Sequence, residues 1–270
     1  WVWQSAGDRL RQRANSNNNP AAANGENTAT APAVSLEHNR SKNYLVAENA
    51  PFLQALGLSS SAGRVHAHAQ DKYRQINKYL EIMDAQLPRL RSLCDPQQPL
   101  HLLDMGSGKG YLSFALFAHW QGQWAGGIRL TGVELRADLV EKTNKAAEAL
   151  GFAPHLQFVC SDIATLPAQP IDVLIALHAC DTATDLALYK ALQAKAALAV
   201  AAPCCHKELR AQMRARAPFE YALSHGIFAQ RQAEMLTDTL RALLMEREGY
   251  RTQIFRSEEH TSELQSRQYL

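Results

Sequence analysis

Glycine recurs at every second position in Leu102-Leu103-Asp104-Met105-Gly106-Ser107-Gly108-Lys109-Gly110, directly after a short run that ends in an acid. The run reads as a buried strand, the glycines as a tight turn, and Tyr111 onward as an amphipathic helix. Glycine lets the backbone take conformations closed to other residues, so a ligand can lie against bare main chain at the start of the helix. A chain built this way is committed to a strand–turn–helix unit that grips a nucleotide-like group. The spacing narrows which kind. A phosphate-cradling P-loop needs Gly-x-x-x-x-Gly-Lys-Ser/Thr, but here Lys109 is followed by Gly110 and the glycine spacing does not fit. A dinucleotide turn needs Gly-x-Gly-x-x-Gly, and its third glycine position is Tyr111.

What fits is Asp-x-Gly-x-Gly-x-Gly with the acid at the strand end, which resembles motif I of the class I S-adenosylmethionine (SAM) methyltransferases. The resemblance implies SAM as cofactor. SAM has no pyrophosphate, and its cationic amino acid end can be held by Asp104 directly or through water. Gly106, Ser107, Gly108, Gly110 and Tyr111 would form the turn around it. Two later strand ends carry acids as well. Ile128-Arg129-Leu130-Thr131-Gly132-Val133-Glu134 is a strand whose last residue is placed to bond ribose hydroxyls, with Leu135 next to it. Leu156-Gln157-Phe158-Val159-Cys160 leads into Asp162 and Ile163, and in methyltransferases an acid there commonly reaches the adenine amino group. Leu177, at the end of a fourth strand, completes the expected cofactor contacts. Each acid alone could be a helix cap or a solvated turn residue; three at successive strand ends favour the cofactor site.

Strands expected at 100–104, 128–134, 156–160, 171–177 and 196–202 alternate with helical segments. This alternation gives an α/β fold, a Rossmann-like parallel sheet with helices on both faces. A helical accessory region over 36–98 precedes the methyltransferase domain at 99–255. In it Tyr73, Ile76, Tyr79, Leu80, Met83 and Leu87 share one apolar face, with Pro88 and the Asp95-Pro96 turn expected to close the helix. In the late helix at 229–247, Met235, Leu236, Leu240, Leu243 and Leu244 are spaced for core packing. Residues 1–35 read as disordered, because 12–33 are rich in Asn, Ala, Pro and Thr. The first residue is Trp rather than Met, which suggests a fragment boundary or a processed end. The segment from Arg256 to Ser266 matches the translation of a common short-read sequencing adapter, so 256–270 are expected to be foreign. The natural chain would then continue past Phe255 with a further strand. Class I methyltransferases end in a hairpin whose last strand inserts antiparallel into the sheet, and 251–255 would be its first arm. A net charge of +2 announces no global nucleic-acid field. The 5 cysteines have no framework spacing, no run reaches membrane-spanning length, and no secretory signal is visible. Together these point to a cytoplasmic protein with no membrane partner.

The fourth and fifth strands end in unusual chemistry: His178-Ala179-Cys180-Asp181 and Pro203-Cys204-Cys205-His206-Lys207. Ligands of open α/β sheets lie at such carboxyl ends. One reading is an acceptor pocket with His178, Asp181 or His206 as base. A second is zinc on His178, Cys180, Cys204 and His206, although the usual ligand spacing is missing. A third is covalent catalysis by a cysteine, as in the RNA cytosine-5 methyltransferases, whose proline-cysteine pair follows the fourth strand rather than the fifth. The plainest is a set of small buried hydrophobes. The catalytic candidates are therefore His178, Asp181, Cys204, Cys205 and His206, and no metal is expected. These motifs, with Thr184-Asp185-Leu186-Ala187-Leu188 and a Lys-Tyr-Arg-Gln-Ile-Asn-Lys segment at 72–78, resemble a methyltransferase-like branch. That branch contains uncharacterised bacterial proteins, and it is similar to the glutathione-S-transferase C-terminal-domain-containing protein and to the CCHC-zinc-finger tRNA ribose methyltransferase. The resemblance implies SAM-dependent methylation, with RNA (tRNA or rRNA) as acceptor. Arg40, Lys42, Lys72, Arg74 and Lys78, interleaved with Tyr44, Tyr73 and Tyr79, would supply a face for phosphates and bases. The competing readings are a non-catalytic SAM- or RNA-binding module on the same fold, and a thiol protein using Cys204 and Cys205.

Overall fold

The computed structural model describes residues 2–5, 44–167, 169–214, 217 and 220–255. In chain order the elements are β1 (Val2–Ser5), α1 (Pro51–Ala55), α2 (Gln70–Asp84), α3 (Leu87–Leu93), β2 (Leu100–Met105), α4 (Tyr111–Trp120), β3 (Ile128–Glu134), α5 (Ala137–Ala149), β4 (Leu156–Cys160), β5 (Val173–Ala176), α6 (Thr182–Ala194), β6 (Leu198–Ala201), α7 (Lys207–Gln212), α8 (Glu220–Leu223), α9 (Gly226–Arg247) and β7 (Tyr250–Gln253). They build one sheet of order β4-β3-β2-β5-β6-β1-β7. From β4 to β6 every neighbouring pair is parallel, while β1 runs antiparallel to both β6 and β7. This is the expected Rossmann-like α/β architecture.

Side chains alternate across a strand, and β2 shows the effect. Leu100 and Leu102 pack into one core, Leu103 and Met105 into the other. The first core holds Tyr73, Ile76, Leu80 and Met83 of α2 with Phe114, Phe117 and Trp120 of α4. The second holds Ala187, Leu188 and Ala191 of α6 with Met245 and Tyr250. Helices therefore cover both faces. The helical region before the sheet shares the first core rather than standing beside it. The Asp84 carboxylate at the end of α2 accepts from Trp120 Nε1 and pairs with His119 Nε2, both at 2.8 Å.

Three elements depart from the sequence reading. Pro88 does not close the long helix: α2 ends at Asp84, and Pro88 lies in the first turn of α3, where its missing N–H costs nothing. In α9 the apolar stripe faces outward. Met235, Leu236, Leu240, Leu243 and Leu244 are exposed, whereas Ala233, Asp238, Arg241, Ala242 and Met245 are buried. The inward face is set by a buried arginine and small residues, which hydrophobic spacing alone does not reveal. Finally, Val2–Ser5 form a strand inside the stretch read as disordered. β1 occupies the slot between β6 and β7, with Val2 opposite both Val200 and Gln253. That is the antiparallel position assigned from sequence to a strand after Phe255. A Val-Trp pair has the β propensity the slot requires. Arg40, Lys42, residues 6–35 and the adapter-like tail lie outside the described residues.

Candidate functional site

The parallel register brings the strand ends together. Asp104 lies beside Gly132 and Ile175, and Glu134 beside Cys160. Between these ends opens a cavity of about 650 Å³. The glycine turn forms its floor. Gly106 has φ +77°, and a Cβ there would sit 3.4 Å from the His178 carbonyl carbon, so only glycine lets β2 leave the sheet beside the β5 loop. Gly110 caps α4 in the left-handed region at φ 71°. The turn is stitched to β3 by Gly106 N and Ser107 N, which donate to Val133 O at 2.9 and 3.0 Å. Gly108 N donates to the Glu134 carboxylate at 2.9 Å, and the other oxygen of that carboxylate takes Arg136 N at 3.0 Å. Glu134 thus fixes the turn while facing the cavity, a second task that its strand-end position did not announce.

Asp104, Gly106, Ser107, Gly108, Tyr111, Glu134, Leu135, Asp162, Ile163 and Leu177, all expected from sequence, line the cavity. Gly110 does not; it acts as the helix cap. Asp104 is 5% exposed and accepts Ser113 Oγ at 2.5 Å. Burial raises its pKa to about 6, against the lowering effect of the Ser113 bond. An acid kept from water beside an open cavity gains by meeting a cation. Asp162 holds its own loop by accepting Ala164 N at 2.8 Å. Bare glycine backbone, a buried acid and two rim acids are the donor set of a nucleoside bearing a positive amino acid end. The residues present therefore fit S-adenosyl-L-methionine.

Lys72, Lys109, Ser161, Cys180, Ala183 and Leu186 also line the cavity without having been assigned to the cofactor. Lys72 is the informative one. It reaches in from α2, its Nζ 5.8 Å from the Tyr111 ring centroid and 2.5 Å from Gln75 Oε1. The only signal for it was the 72–78 segment, read as a surface. Of that surface, Tyr44 is exposed, while the other two tyrosines are not. Tyr73 and Tyr79 are buried core residues, Arg74 pairs with Asp71 at 2.9 Å, and Lys78 pairs with Glu81 at 3.0 Å.

The five catalytic candidates divide. His178 lines the cavity. Its side chain is exposed at the mouth, yet the protein packed around the ring, and then the Lys72 charge, hold its pKa below the usual histidine value. Asp181 points elsewhere: both carboxylate oxygens accept Glu208 N, at 3.3 and 3.2 Å, at the start of α7. Its backbone sits at φ 56°, a strained conformation for a residue with a Cβ, and Arg241 holds its carbonyl at 3.0 Å. His206 is 2% exposed and its Nδ1 has no hydrogen-bond partner among the described residues. Cys204 and Cys205 meet Cys180 instead of the cavity floor. Cys204 is exposed, yet the protein packed around its sulfur, and then the hydrogen bonds shared with Cys180 and Cys205, push its thiol up.

A doubly wound sheet carrying an Asp-x-Gly-x-Gly-x-Gly turn, strand-end acids and this cavity defines the class I SAM-dependent methyltransferases. Residues 71–212 match the methyltransferase-domain family, just over half of the chain, and the chain belongs to that family. Solved structures with partial similarity include a SAM-dependent methyltransferase from Thiobacillus denitrificans in complex with S-adenosyl-L-homocysteine, at 27% identity over 36% of that chain and 34% of this one, TM-score 0.25. Magnesium protoporphyrin IX methyltransferase from Synechocystis PCC 6803 is similar at 17% identity over 60% of that chain and 53% of this one, TM-score 0.37. Coclaurine N-methyltransferase is similar at 18% identity over 32% of that chain and 43% of this one, TM-score 0.32. The chain spans 35–37% of the length of the first structures it matches. No curated protein matches it. Among the described residues no helix is long and apolar enough to cross a membrane.

Proposed function

We propose that this protein transfers a methyl group from S-adenosyl-L-methionine to a nucleophilic oxygen or nitrogen of an RNA. The observation that carries the methyl-transfer reading is the convergence of Asp104, Glu134 and Asp162 with His178 and Lys72 on one cavity. Bound SAM supplies an electrophilic methyl carbon on its sulfonium. Asp104 would hold the cationic amino acid end, Glu134 the ribose, and Asp162 the adenine side. His178, whose lowered pKa keeps the imidazole neutral near pH 7, is available to take the acceptor's proton as it attacks. Lys72 places one cation at the cavity wall, where an anionic group of the acceptor gains most. For RNA that group is a phosphate. The acceptor class rests on the His-Ala-Cys-Asp and Pro-Cys-Cys-His resemblance together with Lys72, because two of the three tyrosines expected to stack on bases, Tyr73 and Tyr79, are core residues.

The test is incubation of the protein with methyl-labelled SAM and fractionated RNA, protein and metabolites. Label in RNA is the expected result. Label only in protein or metabolites overturns the acceptor, and no SAM binding by calorimetry overturns the whole reading. His178→Ala should lower kcat by about 10²–10⁴-fold while SAM affinity stays within about twofold.

A further inference from the structure

Three thiols meet where β5 and β6 leave the sheet. The two strands are parallel neighbours with Ala176 opposite Ala201, so the segments that follow them run out side by side. Cys180 follows β5, and Cys204 and Cys205 follow β6. Cys180 Sγ lies 3.0 Å from Cys204 Sγ, and Cys204 Sγ lies 3.7 Å from Cys205 Sγ. All three sulfurs fall within 4.8 Å of one another. Zinc–thiolate bonds of about 2.3 Å in a tetrahedron set sulfur–sulfur distances of roughly 3.8 Å. One ion could be reached by all three with sub-ångström adjustments.

The two segments are also locked to each other. Glu208 N, just beyond the cysteine pair, donates to the Asp181 carboxylate next to Cys180. Arg241 Nη2 holds the Asp181 carbonyl at 3.0 Å, and Thr184 Oγ1 donates to the Ala179 carbonyl. Pro203 restricts the backbone entering Cys204. The thiols are thus brought together by contacts that do not involve the sulfurs, which is preorganisation of a ligand set.

Roles without a metal fit the three thiols less well. Buried hydrophobes should be buried, yet Cys180 and Cys204 are exposed and Cys205 only half-buried. A disulfide between Cys180 and Cys204 would use two sulfurs and leave Cys205 beside them without a role. A zinc site built on His178 and His206 is not what forms, since neither histidine belongs to the cluster. The spacing of the cysteines along the chain speaks against zinc only for pairs within one segment, whereas this site is assembled across two strands.

We propose that Cys180, Cys204 and Cys205 bind one zinc ion as thiolates at the edge of the cavity, the thiol protons leaving as the metal enters. Three protein ligands leave a fourth position open to water or to an acceptor atom. Cys180 borders both the ion and the cavity, so the ion would fix the acceptor side of the site. The inference stands apart from methyl transfer: a protein that never methylates RNA could still hold the metal.

The experiment is titration of the reduced, chelator-treated full chain with cobalt(II), read by absorption, and zinc analysis of the protein purified without chelator. The expected result is one equivalent of zinc, and a sulfur-to-cobalt charge-transfer band that saturates at one equivalent and is bleached by added zinc. Cys204→Ser and Cys205→Ser should each weaken cobalt binding at least about tenfold and shrink the band, with SAM binding by calorimetry serving as the fold control. If a variant fails that control, the band intensity of the unmodified chain decides, since three thiolates give about three times the absorption of one. No band, a band unchanged in both serine variants, or a disulfide between Cys180 and Cys204 that must be reduced without any metal then binding would each overturn the proposal.

Discussion

Asp104 combines burial, a single hydrogen bond from Ser113 and a place at the cavity floor, and these give it a pH signature of its own. Its pKa is raised to about 6 in the fold from the ordinary carboxylate value near 3.9. The native state therefore holds this proton more tightly than the unfolded chain does. The resulting stability is fully present below pH ~4 and is lost as pH rises through about 6, an effect of roughly 3 kcal/mol. Chemical denaturation of the cofactor-free protein should show this decline between pH 4 and pH 7, and Asp104→Asn should flatten it. A cation beside Asp104 lowers its pKa, so SAM binding should release a proton near pH 6, measured as a buffer-dependent heat in calorimetry. Asp104→Asn should weaken SAM binding about 10–100-fold, the worth of a charge-assisted bond. Asp104, Glu134 and Asp162 were all legible in the sequence because each follows a strand whose pattern is plain, and strand ends in a parallel sheet share one edge. Lys72 was not, because a lysine on an amphipathic helix looks the same whether it faces solvent or a cavity. The direction of Asp181 is hidden for a related reason: a residue's position after a strand says nothing of which way its carboxylate turns, and here a backbone amide of α7 claims it.

At the level of elements, α9 is held by a buried charge as well as by the apolar contacts of Ala233, Ala242 and Met245. Arg241 is 4% exposed. It donates Nε and Nη2 to the two Asp185 oxygens at 2.6 and 3.0 Å, Nη1 to Asp238 at 3.3 Å, and Nη2 to the Asp181 carbonyl. One side chain thus ties α9 to the start of α6 and to the strained turn ahead of it. Asp238 is buried with Arg241, whereas Asp185 is half-exposed, so removing the arginine strands Asp238 and leaves Asp185 to water. Arg241→Ala should cost about 3–5 kcal/mol in denaturant unfolding, and Arg241→Lys should recover little of it, because an ammonium cannot match the forked geometry. The leucine stripe tests the opposite expectation. Had Leu240 and Leu243 been core residues, alanine at either would cost about 2–5 kcal/mol. Both are exposed, so Leu240→Ser and Leu243→Ser should each change stability by no more than about 0.5 kcal/mol. Hydrophobic spacing located α2 correctly, with Tyr73, Ile76, Leu80 and Met83 all buried, because that helix crosses a broad apolar neighbour in α4. It failed for α9, where alanines and an arginine clamp make the inner face, and no period in the sequence distinguishes a buried arginine from a solvated one.

For the molecule as a whole, the five parallel strands followed from alternation, with boundaries that differ by a residue or two, and their cofactor edge from the glycine turn and the strand-end acids. The sheet's far side did not, since a strand of four residues separated from its partners by most of the chain leaves no periodic signal. Val2–Ser5 pair with residues near 200 and near 250. This long-range closure bears on how the protein reaches its native state. The pairs β2–β3, β3–β4 and β5–β6 join strands that follow one another along the parallel part of the sheet, so their loops close earlier and at lower entropic cost than the longer β2–β5 closure or that of β1. β1 can dock only after β6 is in place, and β7 pairs onto β1 at the sheet edge, which makes these two the last rungs to zip and the first to fray. Native-state hydrogen exchange should rank the β1 amides, and those of β7 facing them, well below the β2 amides in protection. The edge of the sheet then behaves as a latch whose opening leaves the cofactor pocket intact, and partial unfolding there should precede any loss of SAM binding on heating.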